Sequence, residues 1–445
     1  MNAVDLEPDR IPAPNPRGSW AECWLRWQDE ALFAGVALLS SVIALGGNLL
    51  AARIVDPTDM GIIQRLMLVQ NYLVLLQLGV FSGLQRNLPM ELGRGDLARL
   101  DRQVAASWWT ARMNAWVGAV FGLGVTLWIF WFGLPILNLW AAAAMTATLI
   151  SLPLTTHFDV LYRSLRVFRK AAVVMSIGAV VAAFACLLPL WFGAVGLTCR
   201  YIIGAVANLA SRWWGNPRPA VVRADANMIR ELIIIGFPNM LSSQLSGLFN
   251  VADRSVIWVR LSETDLGMFQ LASLVATGLQ VLPATLGLIL LPRVARRYGE
   301  TGDPASLRRF VWQGVGLGFA LLVPAVGFFY FAMDPLTRGY FPKYIGGVRA
   351  AEITCLSMLT FAATGVGAVI TTLRGNVAMM LIVGAGLAVV WIGGWAAVSA
   401  GAGIAGVAWV RLIAQCWYAF GMVALALILT RSEPARSANR SETVS

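Results

Sequence analysis

Long apolar runs of about twenty residues recur along the chain and are separated by short polar stretches. A helix needs about 20 mostly apolar residues to cross the hydrocarbon core of a bilayer. The pattern therefore predicts about twelve spanning helices, six in each half of the chain. In the first half they cover about 32–52, 62–84, 104–131, 135–161, 171–191 and 194–211. In the second half they cover about 232–253, 267–291, 310–332, 350–373, 377–399 and 402–430.

These spans predict an all-α polytopic membrane protein with five regions. Two six-helix bundles, over 31–211 and 232–430, are joined by a linker over 212–231. Tails over 1–30 and 431–445 flank the bundles. We expect the linker and both tails to lie in the cytoplasm.

The distribution of charge supports this topology. Charged residues make up 13% of the chain, against about 25% in soluble domains. Of the 34 Lys and Arg residues, 24 fall in the tails and loops on the predicted cytoplasmic side and 6 on the other. This bias follows the positive-inside rule. The net charge of +11 therefore indicates orientation in the membrane, and we expect no nucleic-acid partner.

An internal repeat relates the two halves. The segment from Thr58 to Gln64, TDMGIIQ, recurs as TDLGMFQ from Thr264 to Gln270, 206 positions later. Gly95-Asp96 recurs as Gly302-Asp303 at an offset of 207. With six helices in each half, the two copies have the same orientation in the membrane. This arrangement is the parallel repeat found in several transporter folds.

The repeated segments and their surroundings resemble bacterial polysaccharide flippases of the multidrug, oligosaccharidyl-lipid and polysaccharide exporter superfamily. The resemblance covers nearly the whole chain. It is carried by the segments ARIVDPTDMG (52–61), GLQRNLP (83–89), Gly236-Phe237-Pro238, Asp253-Arg254, the second Thr-Asp-x-Gly turn and Leu291-Pro292-Arg293.

The resemblance implies two six-helix bundles that rock around a central cavity and expose it alternately to the two sides. It implies a polyprenyl-diphosphate-linked oligosaccharide as substrate, an O-antigen or exopolysaccharide unit moved from the inner to the outer leaflet of the bacterial inner membrane. Membrane lipids, a glycan polymerase and other polysaccharide-assembly proteins are the expected partners.

Arginines within the spans are the candidate substrate-binding residues, because the guanidinium group stays charged and binds phosphate bidentately. The four are Arg65, Arg112, Arg200 and Arg411. By position, Arg112 and Arg411 lie about 12–13 Å inside their spans, too deep to reach an interface, whereas Arg65 and Arg200 lie about 6 Å inside and can extend outward. Arg200 and Arg411 follow equivalent Gly-x-x-Gly turns. Asp253 is a candidate ion-coupling residue.

Two other classes of protein are the alternatives. A multidrug or cation antiporter of the same superfamily needs acidic residues deep in the bundle, whereas the deep charges here are arginines. A membrane-embedded glycan polymerase or ligase needs acid–base groups on sizeable loops, and this chain has one histidine. We therefore expect a transporter that is not an enzyme, with no cofactor and no metal site.

Overall fold

The computed structural model describes residues 20–217, 223–373 and 375–431, which form helices and turns with no β-strand among them. The helices of the first half are α1 (Trp20–Ile54), α2 (Pro57–Leu73), α3 (Val80–Arg94), α4 (Leu97–Trp131), α5 (Ile136–Ser164), α6 (Phe168–Ala185) and α7 (Leu188–Trp214). Those of the second half are α8 (Ala226–Arg260), α9 (Glu263–Met268), α10 (Gln270–Thr301), α11 (Arg308–Tyr340), α12 (Val348–Ser357), α13 (Gly367–Thr372), α14 (Asn376–Ser399) and α15 (Gly403–Leu429). Short 3₁₀ segments cover Val74–Gln77, Pro304–Leu307, Pro342–Gly347 and Met358–Val366.

The helices confirm the all-α membrane architecture. Among the described residues, ten helical stretches are long and apolar enough to cross a membrane, and the bent pair of α2 and α3 makes an eleventh. The remaining predicted span, about 267–291, begins at the end of α9 and continues in α10, a helix of 32 residues that covers it from Gln270 onwards.

Several helices are longer than the spans predicted within them. Helices α1, α4 and α8 each have 35 residues, or about 52 Å at 1.5 Å per residue. A hydrocarbon core of about 30 Å cannot contain such lengths, so these helices extend beyond it. Because α8 continues to Arg260, Asp253 lies inside the helix and not at its end, where the sequence had placed it.

The second predicted span, 62–84, is not one straight helix. Helices α2 and α3 meet at a bend of 52°. At the bend, Leu78 and Gly79 have left-handed backbones, with φ of 50° and 85°. Gly79 also has no room for a side chain, because a Cβ atom there would lie 2.6 Å from the Phe237 backbone nitrogen.

The two halves meet through a few helices. Helix α2 packs along α9, and α3 packs along α8, with smaller contacts between α4 and α8 and between α1 and α10. We call the end where α2 and α9 begin the Thr58 end. The end where α3 terminates and α8 begins is the Arg94 end.

The internal repeat forms the contact at the Thr58 end. Gly61 packs against the Glu263 carbonyl, and its repeat equivalent Gly267 packs against the carbonyl of Pro57, which is itself the equivalent of Glu263. Thr58 and Thr264 share a hydrogen bond of 2.8 Å between their hydroxyls. The two copies therefore face each other across an approximate two-fold axis, as a parallel repeat requires.

Candidate functional site

One face of α8 looks towards the first half of the protein. Near the Arg94 end, Gly236 packs against the α3 backbone at Gly79 and Gly83. Arg254 follows Gly236 by 18 residues, which is five full turns of an α-helix, and therefore lies on the same face. The next residue, Ser255, accepts a hydrogen bond of 2.5 Å from the Tyr72 hydroxyl of α2.

Between these two contacts the face is open. Ser243 and Gly247 recur on it at helical spacing and are exposed, and Asn250 is partly exposed. The distance along α8 from Gly236 to Arg254 is about 27 Å. We infer that a polar cleft separates the two halves along this face, between the contacts at Gly236 and Ser255, and we call it the α8 cleft.

Arg254 carries the charge on this face. One of its terminal nitrogens donates to the Asn250 carbonyl at 3.3 Å, one turn back along α8. Its Nε is buried and has no hydrogen-bond partner. A buried donor without a partner loses the free energy of hydration without replacement. Arg254 is thus a cation with unused hydrogen-bonding capacity beside the cleft.

The neighbouring carboxylate is already neutralised. Asp253, 1% exposed, forms an ion pair with Arg411 of α15, 4% exposed. The Asp253 carboxylate also accepts a hydrogen bond from the Arg254 backbone N–H at 2.8 Å. The three side chains together carry two positive charges and one negative charge. Two predicted site residues, Asp253 and Arg411, are therefore brought together as a buried pair that joins α8 to α15.

Arg200, which follows the equivalent turn in the first half, has a different environment. It is 8% exposed and donates to the Ala44 carbonyl at 3.1 Å, while another terminal nitrogen is buried without a partner. It lies against Gly47, where a Cβ atom would be 2.8 Å from the guanidinium carbon. Gly47 is 206 positions before Asp253, the offset of the repeat. A glycine thus stands where the second half has the carboxylate.

Arg65 links the two halves at the Thr58 end. It pairs with Glu263 of α9 and donates to the Asn138 side-chain oxygen of α5 at 2.9 Å. Its side chain is 27% exposed. This arginine therefore holds the halves together and does not face the α8 cleft with a free charge.

Arg112 lies apart from the other three. Its side chain is exposed and lines a pocket of about 330 Å³ between α4, α5 and α7. Within the described ranges it forms no hydrogen bond and no ion pair. Arg112, which lies deeper in its predicted span, is thus exposed, whereas Arg200, which lies nearer the end of its span, is buried. Position along the chain gives depth but not the direction in which a side chain points.

The sequence also contained an indication that Arg254 is a site residue, which the depth of arginines within the predicted spans did not show. The spacing of 18 residues from Gly236 places both on one helix face, and Gly236 marks a close approach of another backbone. The four predicted arginines occupy four separate places, and Arg254 is the arginine that the geometry places at the α8 cleft.

The fold is similar to those of solved membrane transporters. An inward-facing multidrug resistance MATE family transporter of the MOP superfamily matches with a TM-score of 0.64 and 12% identity, over 90% of this chain and 98% of its own. The lipid II flippase MurJ in an inward closed conformation matches with a TM-score of 0.64 and 11% identity, over 90% of each chain. An outward-facing MATE transporter matches with a TM-score of 0.55 and 15% identity, over 93% of this chain and 97% of its own.

These similarities show that the chain has the fold of these polytopic membrane transporters. No curated protein sequence matches the chain. The sequence profile of a family described as polysaccharide biosynthesis protein matches residues 50–342. Since this match covers more than half of the chain, the protein belongs to that family, and the predicted superfamily is confirmed.

Proposed function

We propose that the protein is a flippase for a polyprenyl-diphosphate-linked oligosaccharide, an O-antigen or exopolysaccharide repeat unit. The observation that carries this proposal is the sign and availability of the charge at the α8 cleft. Arg254 is partly exposed on this face of α8 and its Nε has no hydrogen-bond partner, whereas Asp253 is paired with Arg411. A site of this kind favours an anion.

A diphosphate suits Arg254 because guanidinium groups form strong charge-assisted hydrogen bonds with phosphate oxygens. Arg65 and Arg411 are tied to carboxylates, and Arg200 donates to a carbonyl. The substrate-binding roles predicted for these three and for Arg112 stay predictions, and we place the diphosphate at Arg254.

Orientation follows from the basic loops. The segments around the Arg94 end, 85–103 and 212–231, carry four Lys or Arg residues each. By the positive-inside rule, this charge supports a cytoplasmic location for this end and for both termini. The lipid-linked unit then enters the α8 cleft from the Arg94 end and leaves at the Thr58 end, where a glycan polymerase and other assembly proteins of the bacterial inner membrane receive it. The proposed cycle breaks no covalent bond and needs no cofactor.

Complementation of a deletion strain tests the proposal. Arg254→Ala should reduce surface glycan at least tenfold and raise the lipid-linked intermediate on the inner leaflet, with protein abundance unchanged. Arg254→Lys keeps the charge without the planar fork and should restore part of the export. Arg260→Ala is the matched control, because Arg260 lies on the same helix but donates to Ser399 of α14, within the second half, at 3.0 Å.

The result separates this function from the antiporter. Normal surface glycan in the deletion strain, together with increased drug sensitivity, would favour a multidrug transporter and overturn the proposal. If the deletion strain loses surface glycan and Arg254→Ala restores it fully, Arg254 has no part in the mechanism. The flippase assignment would then still stand.

Arg411→Ala should give a different phenotype from Arg254→Ala. It leaves the Asp253 carboxylate buried and unpaired, a change that typically destabilises a protein by about 3–5 kcal/mol. We therefore expect a strong loss of protein from the membrane, measured by immunoblot, before any effect on export is considered. Wild-type abundance of Arg411→Ala would show that the buried pair does not stabilise the second half.

A further inference from the structure

We propose that the pocket at Arg112 binds the head group of an anionic phospholipid on the outer wall of the first half. The pocket has a volume of about 330 Å³, which is in the range of small-molecule sites. Arg112, three tryptophans and two alanines form much of its lining: Trp108, Trp116, Trp213, Ala115 and Ala119. All of its lining residues belong to α4, α5 and α7, so it is separate from the α8 cleft.

The pocket opens towards the membrane. The exposed side chains of α4 around Arg112 are apolar, and they include Trp109, Met113, Trp116 and Val120, which are 44–67% exposed. In a spanning helix such a face contacts acyl chains. A ligand that enters the pocket from this side is therefore a lipid and not a soluble anion.

The depth of Arg112 matches that of a lipid phosphate. Trp108 and Trp131 lie near the two ends of the apolar part of α4, about 34 Å apart along the helix. Tryptophans of spanning helices concentrate at the two membrane interfaces, so these two mark the interfaces. Arg112 lies one turn, about 6 Å, inside Trp108, closer to the interface than its position in the predicted span 104–131 indicated. An arginine side chain can span this distance to reach the phosphate level.

Charge selects an anionic head group. Arg212 of α7, next to Trp213, is neutralised by Asp159 at 2.8 Å, but Arg112 has no acidic partner among the described residues. Basic pockets between spanning helices near the cytoplasmic side bind anionic head groups. The small side chains of Ala115 and Ala119 leave room for an acyl chain beside α4.

Native mass spectrometry of the purified full-length protein tests the proposal, with phosphatidylglycerol and phosphatidylcholine as probes. The wild-type protein should retain one phosphatidylglycerol at least tenfold more tightly than phosphatidylcholine. Arg112→Gln should abolish this preference, and Arg112→Lys should keep part of it. Arg102→Gln is the matched control, because Arg102 is an exposed arginine of α4 outside the pocket.

Quenching of tryptophan fluorescence gives a second readout. Brominated phosphatidylglycerol should quench the wild-type protein more than Arg112→Gln, because Trp108, Trp116 and Trp213 line the pocket. Equal retention of the two lipids by the wild-type protein, or an equal loss in Arg112→Gln and Arg102→Gln, would overturn the proposal. Displacement of the retained lipid by a polyprenyl diphosphate at equimolar concentration would also overturn it, since it would identify a substrate site.

Discussion

The two ends of the contact between the halves are built differently. At the Thr58 end, the repeat segments cross symmetrically, with Gly61 and Gly267 each against a carbonyl of the other half. At the Arg94 end, the bent helix α3 packs against α8, and Arg99 of α4 pairs with Glu231 of α8 at 2.5 Å. The corresponding helix of the second half, α10, is continuous through 32 residues. The contact at the Thr58 end is therefore symmetric, whereas the contact at the Arg94 end is made by a bent helix pair that the described part of the second half lacks.

This difference indicates how the α8 cleft opens. Separation at the Thr58 end requires two equivalent contacts to break together, because both glycines belong to one helix crossing. Opening at the Arg94 end involves the bend between α2 and α3 at Leu78 and Gly79, together with the contacts of α3 and α4 with α8. We therefore expect the two ends to respond to different substitutions.

The largest effect is expected at the symmetric crossing. Gly61→Ala and Gly267→Ala each introduce a Cβ atom that overlaps a backbone carbonyl of the other half, and each should destabilise the protein by about 2–3 kcal/mol. The two losses should be equal, and the double variant should lose less than their sum because both act on one contact. Thermal unfolding of purified protein measures both expectations.

Gly124→Ala is the control for this pair, because a Cβ atom at Gly124 meets nothing within 4 Å. A loss in only one of the two crossing variants would contradict a symmetric contact.

A smaller effect is expected at the bend. Gly79→Ala puts a side chain on a backbone with φ of 85° and 2.6 Å from the Phe237 nitrogen, and should destabilise the closed Arg94 end by about 1–2 kcal/mol. A cysteine introduced at the exposed Ser243 should then react faster with a thiol reagent, while one at Thr264 should not. Gly93→Ala, in α3 at a position where a Cβ atom meets nothing within 4 Å, should change neither rate. Equal acceleration at both cysteines would show that the ends are not independent.

The smallest effect is expected from the charged pair at the Arg94 end. Arg99 and Glu231 are each 35% exposed, and half-exposed pairs contribute about 0.2–1 kcal/mol. Arg99→Glu should accelerate labelling at Ser243→Cys about two- to fivefold, and the exchanged pair Arg99→Glu with Glu231→Arg should restore it. Arg338→Glu removes the partner of Asp334 within one helix and should leave the rate unchanged. Failure of the exchanged pair to restore protection would assign the effect to Glu91, which is 3.5 Å from Arg99.

Apolar periodicity and the repeat predicted much of this architecture. Runs of about twenty apolar residues are sufficient to locate spanning helices because the bilayer sets their length. The offset of 206 also relates Thr58 to Thr264, whose hydroxyls share a hydrogen bond. The bend was not predicted, because Leu78 has an ordinary helix-forming side chain and the close approach of α8 to Gly79 depends on packing between distant parts of the chain.

The ion pairs could not be predicted in the same way. Asp253 and Arg411 are 158 positions apart, and the rotation of each helix about its axis determines whether they meet. For the same reason depth within a span did not distinguish the buried Arg411 from the exposed Arg112. Arg254 could have been identified from its spacing to Gly236, had that glycine been interpreted as a contact between helices.

The unequal charges around Asp253 have an electrical consequence. With two arginines and one carboxylate, the empty α8 cleft holds one unbalanced positive charge. Moving a unit charge through the whole transmembrane field changes the free energy by about 2.3 kcal/mol per 100 mV. In the proposed cycle, a bound diphosphate with two negative charges would change the net charge from +1 to −1. The membrane voltage would therefore act in opposite directions on the empty and the loaded protein. A voltage that favours outward movement of the loaded site would also favour inward return of the empty site.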